Sequence, residues 1–170
     1  GSVAGYDVRA NTAVIAKTDL ASGAQLYKSA LPQNAWTQIT EVNKQALADV
    51  RFGEYEQFSY AGAKGEKVYG YVMKPWTAKA GQKYPIAFIV HGGPQSSFAN
   101  NWSYRWNPQT YAGAGYAVVF IDFHGSLGYG QQFTDSISQD WGGKPLVDLK
   151  LGMAAAAKKF AWLDSSKACA

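Results

Sequence analysis

Cysteine, charge and long apolar runs are all scarce in this sequence. The single cysteine among 170 residues, Cys169, excludes an internal disulfide and a zinc site built from several cysteines. Its apolar neighbours predict a buried thiol with a structural role. The longest apolar stretches, residues 85–90 and 117–121, have the length of strands and are too short to span a membrane. We therefore expect no membrane partner.

The charge pattern argues against nucleic acid as a partner. Charged residues make up 16% of the chain, and the net charge is +4. Lysine and arginine are scattered and form no run that could follow a phosphate backbone. With 47% apolar and 15% aromatic residues, the chain is long enough for one hydrophobic core. The composition predicts a globular protein whose partners are not nucleic acids.

The first fifty residues have the pattern of antiparallel sheet. Three short strand-like runs, residues 12–17, 25–29 and 36–40, follow each other at intervals of about a dozen residues. The segment 19–23 contains aspartate, serine and glycine, which favour a tight turn. We expect a hairpin that needs further strands to bury both of its faces, as one blade of a β-propeller does.

From about Glu54 onward, strand patterns alternate with longer helical ones, which favours an α/β fold. The predicted elements are, in order, a hairpin (56–61 and 67–74), a buried strand (85–90), a short helix from Asn107-Pro108, a second buried strand (116–122) and a further strand that begins at Lys167.

The clearest helix begins near Pro145. It is predicted to carry one apolar stripe at steps of three and four residues, made of Leu146, Leu149, Met153, Ala157 and Phe160. Asp148 lies near the positive end of its dipole, and Lys158 and Lys159 lie near the negative end.

The tetrapeptide His91-Gly92-Gly93-Pro94 is the most informative motif. Two glycines directly after a buried strand allow backbone N–H groups to come close to a substrate atom. In α/β-hydrolases, a histidine-glycine-glycine loop after the third strand donates one such N–H to the oxyanion of the reaction intermediate. The alternative is that the glycines only make a tight turn.

The two histidines, His91 and His124, each follow a predicted strand. Neither is expected to act as a catalytic base, because in the α/β-hydrolase order the histidine follows the serine and the acid. We expect His91 to orient its loop through hydrogen bonds and His124 to line a loop beside Asp122. A metal site made of Asp122, His124 and His91 has no supporting spacing, so no metal is predicted.

No cofactor is predicted either. The loop 125–130 has the pattern G-x-x-G-x-G, the reverse of the dinucleotide fingerprint, and no Walker sequence occurs.

The sequence also lacks a nucleophilic serine in an elbow. Such an elbow needs glycine two positions before and two positions after the serine, and no serine here meets that test. Ser126 comes nearest, with Gly128 after it and His124 before it. We expect the elbow to follow the strand that begins at Lys167, one or two residues beyond Ala170.

Residues 85–170 resemble the start of the catalytic domain in the prolyl oligopeptidase family, most closely its acylaminoacyl-peptidase and dipeptidyl-peptidase V branch. The matching segments are residues 91–94, 102–109, 114–119, 125–130 and 140–143. The resemblance implies an α/β fold, namely the N-terminal half of an α/β-hydrolase domain (51–170), preceded by the last antiparallel blade of a β-propeller (1–50).

The resemblance also implies site residues. The Gly93 N–H would serve the oxyanion, with Gly92 giving it room, while the serine, aspartate and histidine of the triad lie outside this chain. The loop 102–106 would border the cleft with Arg105, and His91 would also contribute to substrate binding. For Arg105, an internal salt bridge or a packing role is an equal alternative. The family usually has threonine or serine where Leu127 stands, which would alter a hydrogen bond of that loop.

The implied function is hydrolysis of short peptides by a serine peptidase, with release of dipeptides or acylated residues after apolar side chains. The implied partners are the peptide substrate, the triad-bearing remainder of the same peptidase and a second copy in a homo-oligomer. A periplasmic or secreted location is implied by the resemblance alone. Two other functions stay open: an esterase, against which Pro94 and the propeller-like segment argue, and a noncatalytic binding module.

Overall fold

The computed structural model describes residues 1–170 as two compact units. One unit contains residues 1–51 and 99–107, and the other contains residues 52–98 and 108–170. The assignment of residues 1–50 to a propeller and 51–170 to a hydrolase domain stays a prediction. No helix of the chain is long and apolar enough to cross a membrane.

The first unit is an antiparallel sheet of four strands, ordered β1(Ser2–Arg9), β2(Thr12–Asp19), β3(Ser22–Ala30) and β4(Thr37–Gln38). The predicted hairpin is confirmed, because Asp19 at the end of β2 pairs with Ser22 at the start of β3. Strand β4 is shorter than expected. Strand β1 was not predicted; seven of its eight residues are exposed, so it lacks the apolar alternation that marks a half-buried strand.

The loop 99–107 belongs to this first unit. Its Asn100 side chain accepts a hydrogen bond from the Leu20 N–H (2.9 Å), and its Trp102 N–H donates to the Thr18 hydroxyl (3.2 Å). Thr18 lies in β2 and Leu20 lies in the turn between β2 and β3, so these bonds attach the loop to the hairpin.

The second unit is built on a five-stranded mixed sheet, which confirms the predicted α/β fold. Its strands are β5(Tyr55–Ala61), β6(Lys67–Met73), β7(Tyr84–Ile89), β8(Ala117–Asp122) and β9(Leu163–Cys169), in the order β5-β6-β8-β7-β9. β5 and β6 form the expected hairpin, closed by a short 3₁₀ helix (Ala63–Gly65). β6 pairs antiparallel with β8, whereas β7 pairs parallel with both β8 and β9.

Strand β8 forms the centre of the core. All six of its residues are buried, as its continuous apolar sequence predicts for a strand covered on both faces. Phe58, Val68 and Phe160 belong to the same core cluster. The helices are α1(Pro108–Gly113), α2(Gln131–Asp135) and α3(Gly143–Lys159).

The buried face of α3 differs from the predicted stripe. Leu146 is 51% exposed, whereas Asp148, Gly152 and Ala156 have no exposed surface or almost none. A β-carbon at position 152 would lie 2.7 Å from Ile121 Cδ1, so the helix can approach the sheet only over a residue without a side chain. Leu146, the first residue of the predicted apolar stripe, lies outside this buried face.

The structure also corrects the prediction for Cys169, whose thiol was expected to be buried. The residue is exposed, because β9 is the edge strand of the sheet. Its sulfur lies 3.6 Å from the Ile86 carbonyl oxygen. β9 also begins at Leu163 rather than Lys167, and its pairing with β7 is irregular between Pro85 and Ile86.

Candidate oxyanion loop

The glycine pair lies at the end of a parallel strand. β7 ends at Ile89, between its parallel neighbours β8 and β9, and the chain continues into His91, Gly92 and Gly93. His91 is buried, while both glycines are exposed. In open α/β sheets, ligands bind in the crevice outside the carboxyl ends of such strands. The glycine pair therefore occupies a position that a substrate could reach.

The two glycines have different conformational requirements. Gly93 has φ = +124°, which L-residues with side chains rarely adopt, and a β-carbon there would lie 2.8 Å from Ser96 Cβ. A β-carbon at Gly92 would meet no atom within 4 Å. The structure shows no hydrogen bond from the Gly93 N–H to any acceptor of the chain. Position 93 thus requires glycine for its backbone conformation, and its N–H is unpaired.

His91 anchors the glycine loop through two side-chain hydrogen bonds. Its Nδ1 lies 3.0 Å from the Gly92 carbonyl oxygen, and its Nε2 lies 2.9 Å from Ser126 Oγ. The imidazole stacks on the Phe123 ring at a centroid distance of 4.3 Å, and Phe98 meets it edge-on at 5.9 Å. The prediction that His91 forms hydrogen bonds that orient its loop agrees with these contacts.

Three further hydrogen bonds connect the segment after the glycines to the last residue of β8, to the loop that follows β8 and to α2. The Gln95 amide donates to the Thr134 carbonyl (3.2 Å), the Leu127 N–H donates to the Ser96 carbonyl (2.9 Å), and the Ser97 hydroxyl donates to Asp122 Oδ1 (2.8 Å). The Leu127 contact uses the backbone N–H, so it does not depend on the side chain at this position.

Asp122 is a fully buried carboxylate beneath the loop. Besides the Ser97 hydroxyl, it accepts a hydrogen bond from the Tyr129 hydroxyl to Oδ2 (2.5 Å). Burial and the negative charge of Asp122 raise the pKa of the Tyr129 hydroxyl, so this group stays protonated and donates. Burial, with Asp122 as the second cause, also raises the pKa of Tyr71.

His124 belongs to a separate buried cluster rather than to the loop beside Asp122. Its Nδ1 lies 2.6 Å from Asp148 Oδ2, and its Nε2 lies 3.1 Å from Glu66 Oε2. Each ring nitrogen of His124 therefore has a carboxylate as its partner. The hydrogen bond from His124, with a smaller contribution from Lys144, lowers the pKa of Glu66.

Asp148 lies near the start of α3, as predicted, but its carboxylate is fully buried and accepts the backbone N–H groups of Ala63 and His124, each at 2.7 Å. The Tyr60 hydroxyl donates to the Asp148 carbonyl (2.6 Å), and burial together with the nearby carboxylate raises the pKa of Tyr60. Asp148 therefore connects α3 to β8 and to the β5–β6 turn.

Neither cluster forms a catalytic triad. Ser126 has no exposed surface, so its hydroxyl cannot reach a substrate. Asp122 Oδ1 lies 4.0 Å from His91 Nε2, the same nitrogen that contacts Ser126, whereas the acid of a triad binds the opposite nitrogen. No group of three or more His, Cys, Asp or Glu side chains is arranged to hold a metal ion.

Arg105 lies in the first unit, on the loop 99–107. Its side chain is exposed, and its guanidinium lies 5.3 Å from the centre of the Trp106 ring. This stacking is a cation–π contact. A role for Arg105 in substrate binding stays a prediction.

Sequence reasoning missed the roles of Ser126, Asp122 and Tyr129 in supporting the loop. Ser126 was considered only as a nucleophile and Asp122 only as a metal ligand. The available signal was a serine and a tyrosine in the glycine-rich segment 125–130, directly after a strand that ends in an aspartate.

Residues 102–170 match the model of the prolyl oligopeptidase family. The chain is 39% identical over 153 residues to dipeptidyl-peptidase 5 of Schizosaccharomyces pombe, a match that covers 86% of this chain and 22% of that protein. It is 34% identical over 160 residues to dipeptidyl-peptidase 5 of Porphyromonas endodontalis, covering 94% of this chain and 23% of that protein.

Among solved structures, the acylaminoacyl peptidase of Pyrococcus horikoshii shares the fold. The TM-score is 0.84 at 23% identity, over 98% of this chain and 26% of that chain. The chain spans between a fifth and a quarter of the length of the two dipeptidyl-peptidases. On the family match and the identity to the two dipeptidyl-peptidases, the chain belongs to the prolyl oligopeptidase family.

Proposed function

We propose that this chain supplies the oxyanion loop of a serine peptidase that hydrolyses short peptides. The nucleophilic serine, the acid and the base are contributed by the remaining part of the same peptidase, so the chain alone is inactive. The complete enzyme releases dipeptides or acylated residues, with a preference for cleavage after apolar side chains.

The single observation that carries this proposal is the Gly93 N–H at the carboxyl end of β7. Gly93 is an exposed residue at positive φ, and its N–H has no acceptor in the chain. When a serine attacks a peptide carbonyl, negative charge develops on the carbonyl oxygen. A donor already fixed in place stabilises that charge without reorganisation, and removal of one such donor costs about 3–4 kcal/mol.

The relatives support the choice of reaction. Two of them are named dipeptidyl-peptidase, and the solved structure with the same fold is an acylaminoacyl peptidase. The antiparallel sheet of the first unit supports the proposal that it is the last blade of a propeller placed before an α/β-hydrolase domain.

The test compares Gly93→Ala with Gly92→Ala in the complete protein. Gly93→Ala places a β-carbon against Ser96 and strains the backbone, whereas Gly92→Ala places one in open space. We expect Gly93→Ala to lower kcat on a fluorogenic dipeptide substrate about 100-fold, and Gly92→Ala to keep kcat within about 10-fold of the wild type.

Unchanged kcat in Gly93→Ala, or turnover by residues 1–170 without added polypeptide, would contradict the proposal. Assays with matched ester and peptide substrates separate a peptidase from an esterase.

A further inference from the structure

We infer that His91 is a positioning residue, which fixes the direction of the Gly93 N–H by donating a hydrogen bond from Nδ1 to the Gly92 carbonyl. The buried Ser126 hydroxyl keeps His91 in the tautomer that carries this proton. The inference rests on the proposed oxyanion function of Gly93. It assigns roles to two side chains that do not touch the substrate.

The first step concerns the peptide unit between Gly92 and Gly93. The Gly92 carbonyl and the Gly93 N–H belong to the same planar trans peptide, so they point in opposite directions. A contact that fixes the carbonyl therefore fixes the N–H as well. The unit has a glycine on each side, and glycines allow the plane to rotate at little steric cost. Without an external contact, this peptide is the part of the loop that is most free to reorient.

The second step concerns the proton on His91. A carbonyl oxygen only accepts hydrogen bonds, so the contact of 3.0 Å to the Gly92 oxygen requires a proton on Nδ1. In the neutral imidazole, Nε2 is then an acceptor, and the Ser126 hydroxyl at 2.9 Å donates to it. Ser126 has no exposed surface, so water does not compete for this bond. The serine thus selects the tautomer that His91 needs.

The third step concerns what holds the two side chains in place. The Ser126 backbone is fixed at both ends, because its N–H donates to the Phe123 carbonyl (2.9 Å) and its carbonyl accepts from the Thr134 hydroxyl (3.2 Å). The imidazole plane is parallel to the Phe123 ring to within 11°, at a centroid distance of 4.3 Å. The ring is therefore held by packing, and its two nitrogens supply the directional bonds.

His91 does not act directly in this arrangement. The side chain is 5% exposed, and both nitrogens have partners within the chain. Its influence on the reaction passes through the Gly92 carbonyl to the Gly93 N–H. That N–H binds the substrate carbonyl oxygen most strongly in the transition state, when negative charge has developed on the oxygen. The loss of His91 should therefore lower kcat and leave KM nearly unchanged.

The experiment uses the complete peptidase and three variants. His91→Phe keeps an aromatic ring against Phe123 but removes both hydrogen bonds. His91→Asn retains an amide N–H at the distance of Nδ1 along the side chain, and Ser126→Ala removes only the hydroxyl. We expect kcat on a fluorogenic dipeptide substrate to fall about 30-fold in His91→Phe and about 5-fold in Ser126→Ala, with KM within about 3-fold of the wild type. His91→Asn should recover at least half of the loss in His91→Phe, on a logarithmic scale.

A second measurement separates positioning from general loss of structure. The affinity for a peptide boronic acid, which forms a tetrahedral anion with the serine, should fall by the same factor as kcat in each variant. The affinity for an unreactive product peptide should not change. Thermal unfolding identifies a variant that fails to fold; if His91→Phe does so, Ser126→Ala still carries the test.

The outcomes are distinct. If Gly93→Ala itself leaves kcat unchanged, the proposed function fails, and this inference fails with it. If Gly93→Ala lowers kcat but His91→Phe and Ser126→Ala do not, only this inference is overturned. It is also overturned if His91→Asn is no better than His91→Phe, or if KM and product affinity change as much as kcat.

Discussion

The clusters around His91 and His124 begin at equivalent positions in the fold but have different partners. His91 comes two residues after the last residue of β7, and His124 comes two residues after the last residue of β8, its parallel neighbour. His91 contacts a carbonyl and a hydroxyl, both neutral. His124 lies between the carboxylates of Asp148 and Glu66.

The difference shows that the position of a histidine after a parallel strand does not decide its role. The hydrogen bonds of His91 fix a loop at the carboxyl end of β7. The contacts of His124 with two carboxylates join the end of β8 to α3 and to the β5–β6 turn. The first cluster should therefore affect catalysis in the complete enzyme, and the second should affect stability.

The largest effect is expected from His124→Leu. This change removes the imidazole that contacts the fully buried Asp148 carboxylate at 2.6 Å, and loss of a hydrogen-bond partner by a buried charged group costs about 3 kcal/mol or more of unfolding free energy. Urea denaturation of the complete protein, followed by tryptophan fluorescence, measures the loss. The kcat of the protein that remains folded should stay close to the wild type.

His91→Phe is the matched control for His124→Leu, since it also replaces a buried histidine by an apolar residue. It should lower kcat with a much smaller loss of stability. The comparison between the clusters is wrong if the two variants lose equal amounts of stability, or if His124→Leu lowers kcat as strongly as His91→Phe does.

A smaller effect is expected from Tyr129→Phe, which tests how the first cluster compensates its own buried charge. Asp122 is surrounded by hydroxyl donors, and Tyr129 supplies the one to Oδ2. A hydrogen bond to a charged group contributes about 1.5–3 kcal/mol, so the variant should lose about 2 kcal/mol of unfolding free energy. Denaturant unfolding measures this loss.

Tyr69→Phe serves as its control, because the Tyr69 ring stacks on Tyr129 at 5.1 Å and the substitution keeps that stacking. It should change the unfolding free energy by less than about 0.5 kcal/mol. Equal losses in Tyr129→Phe and Tyr69→Phe would show that ring packing, and not the bond to Asp122, is what Tyr129 contributes.

How well the sequence predicted each region depends on how far apart in the sequence the interacting residues are. β7 and β8 are continuous apolar runs, and the hairpins have turns rich in glycine and polar residues, so local pattern was sufficient for them. The glycine pair at the end of β7 was found for the same reason. β1 was missed because its pairing with β2, and not its own apolar pattern, makes it a strand.

The burial of Asp148 could not be predicted from the local sequence pattern. An aspartate in the first turns of a helix normally faces solvent and favours the helix dipole. Here its partners are His124, which precedes it by 24 residues, and the Ala63 N–H, which precedes it by 85. The same limit applies to Ser126 and His91, which are separated by 35 residues. Contacts of this kind depend on how the strands assemble, and residue spacing in one sequence does not contain that information.

The smallest effect on stability is expected from Glu66→Gln, at the solvent-exposed side of the His124 cluster. The hydrogen bond from His124 lowers its pKa below the ordinary value of 4.5, so the folded protein favours the charged carboxylate. A group with a lowered pKa contributes stability that is present above its unfolded pKa and is lost as the pH falls through its folded pKa. Glu66→Gln should therefore be less stable than the wild type at pH 7, and the difference should shrink as the pH falls from about 4.5 downward.

Unfolding midpoints of both proteins at pH 7, 4 and 3 measure this difference. Because the Glu66 side chain is 48% exposed, solvent weakens the contribution, and a small shift at pH 7 is expected. Glu54→Gln is the control, since the Glu54 carboxylate meets the lysine ammonium of Lys74 at 3.5 Å instead of a buried histidine. If the gap between the wild type and Glu66→Gln is the same at pH 7 and pH 3, the His124 ring does not favour the charged form of Glu66, and the second cluster would depend on Asp148 alone.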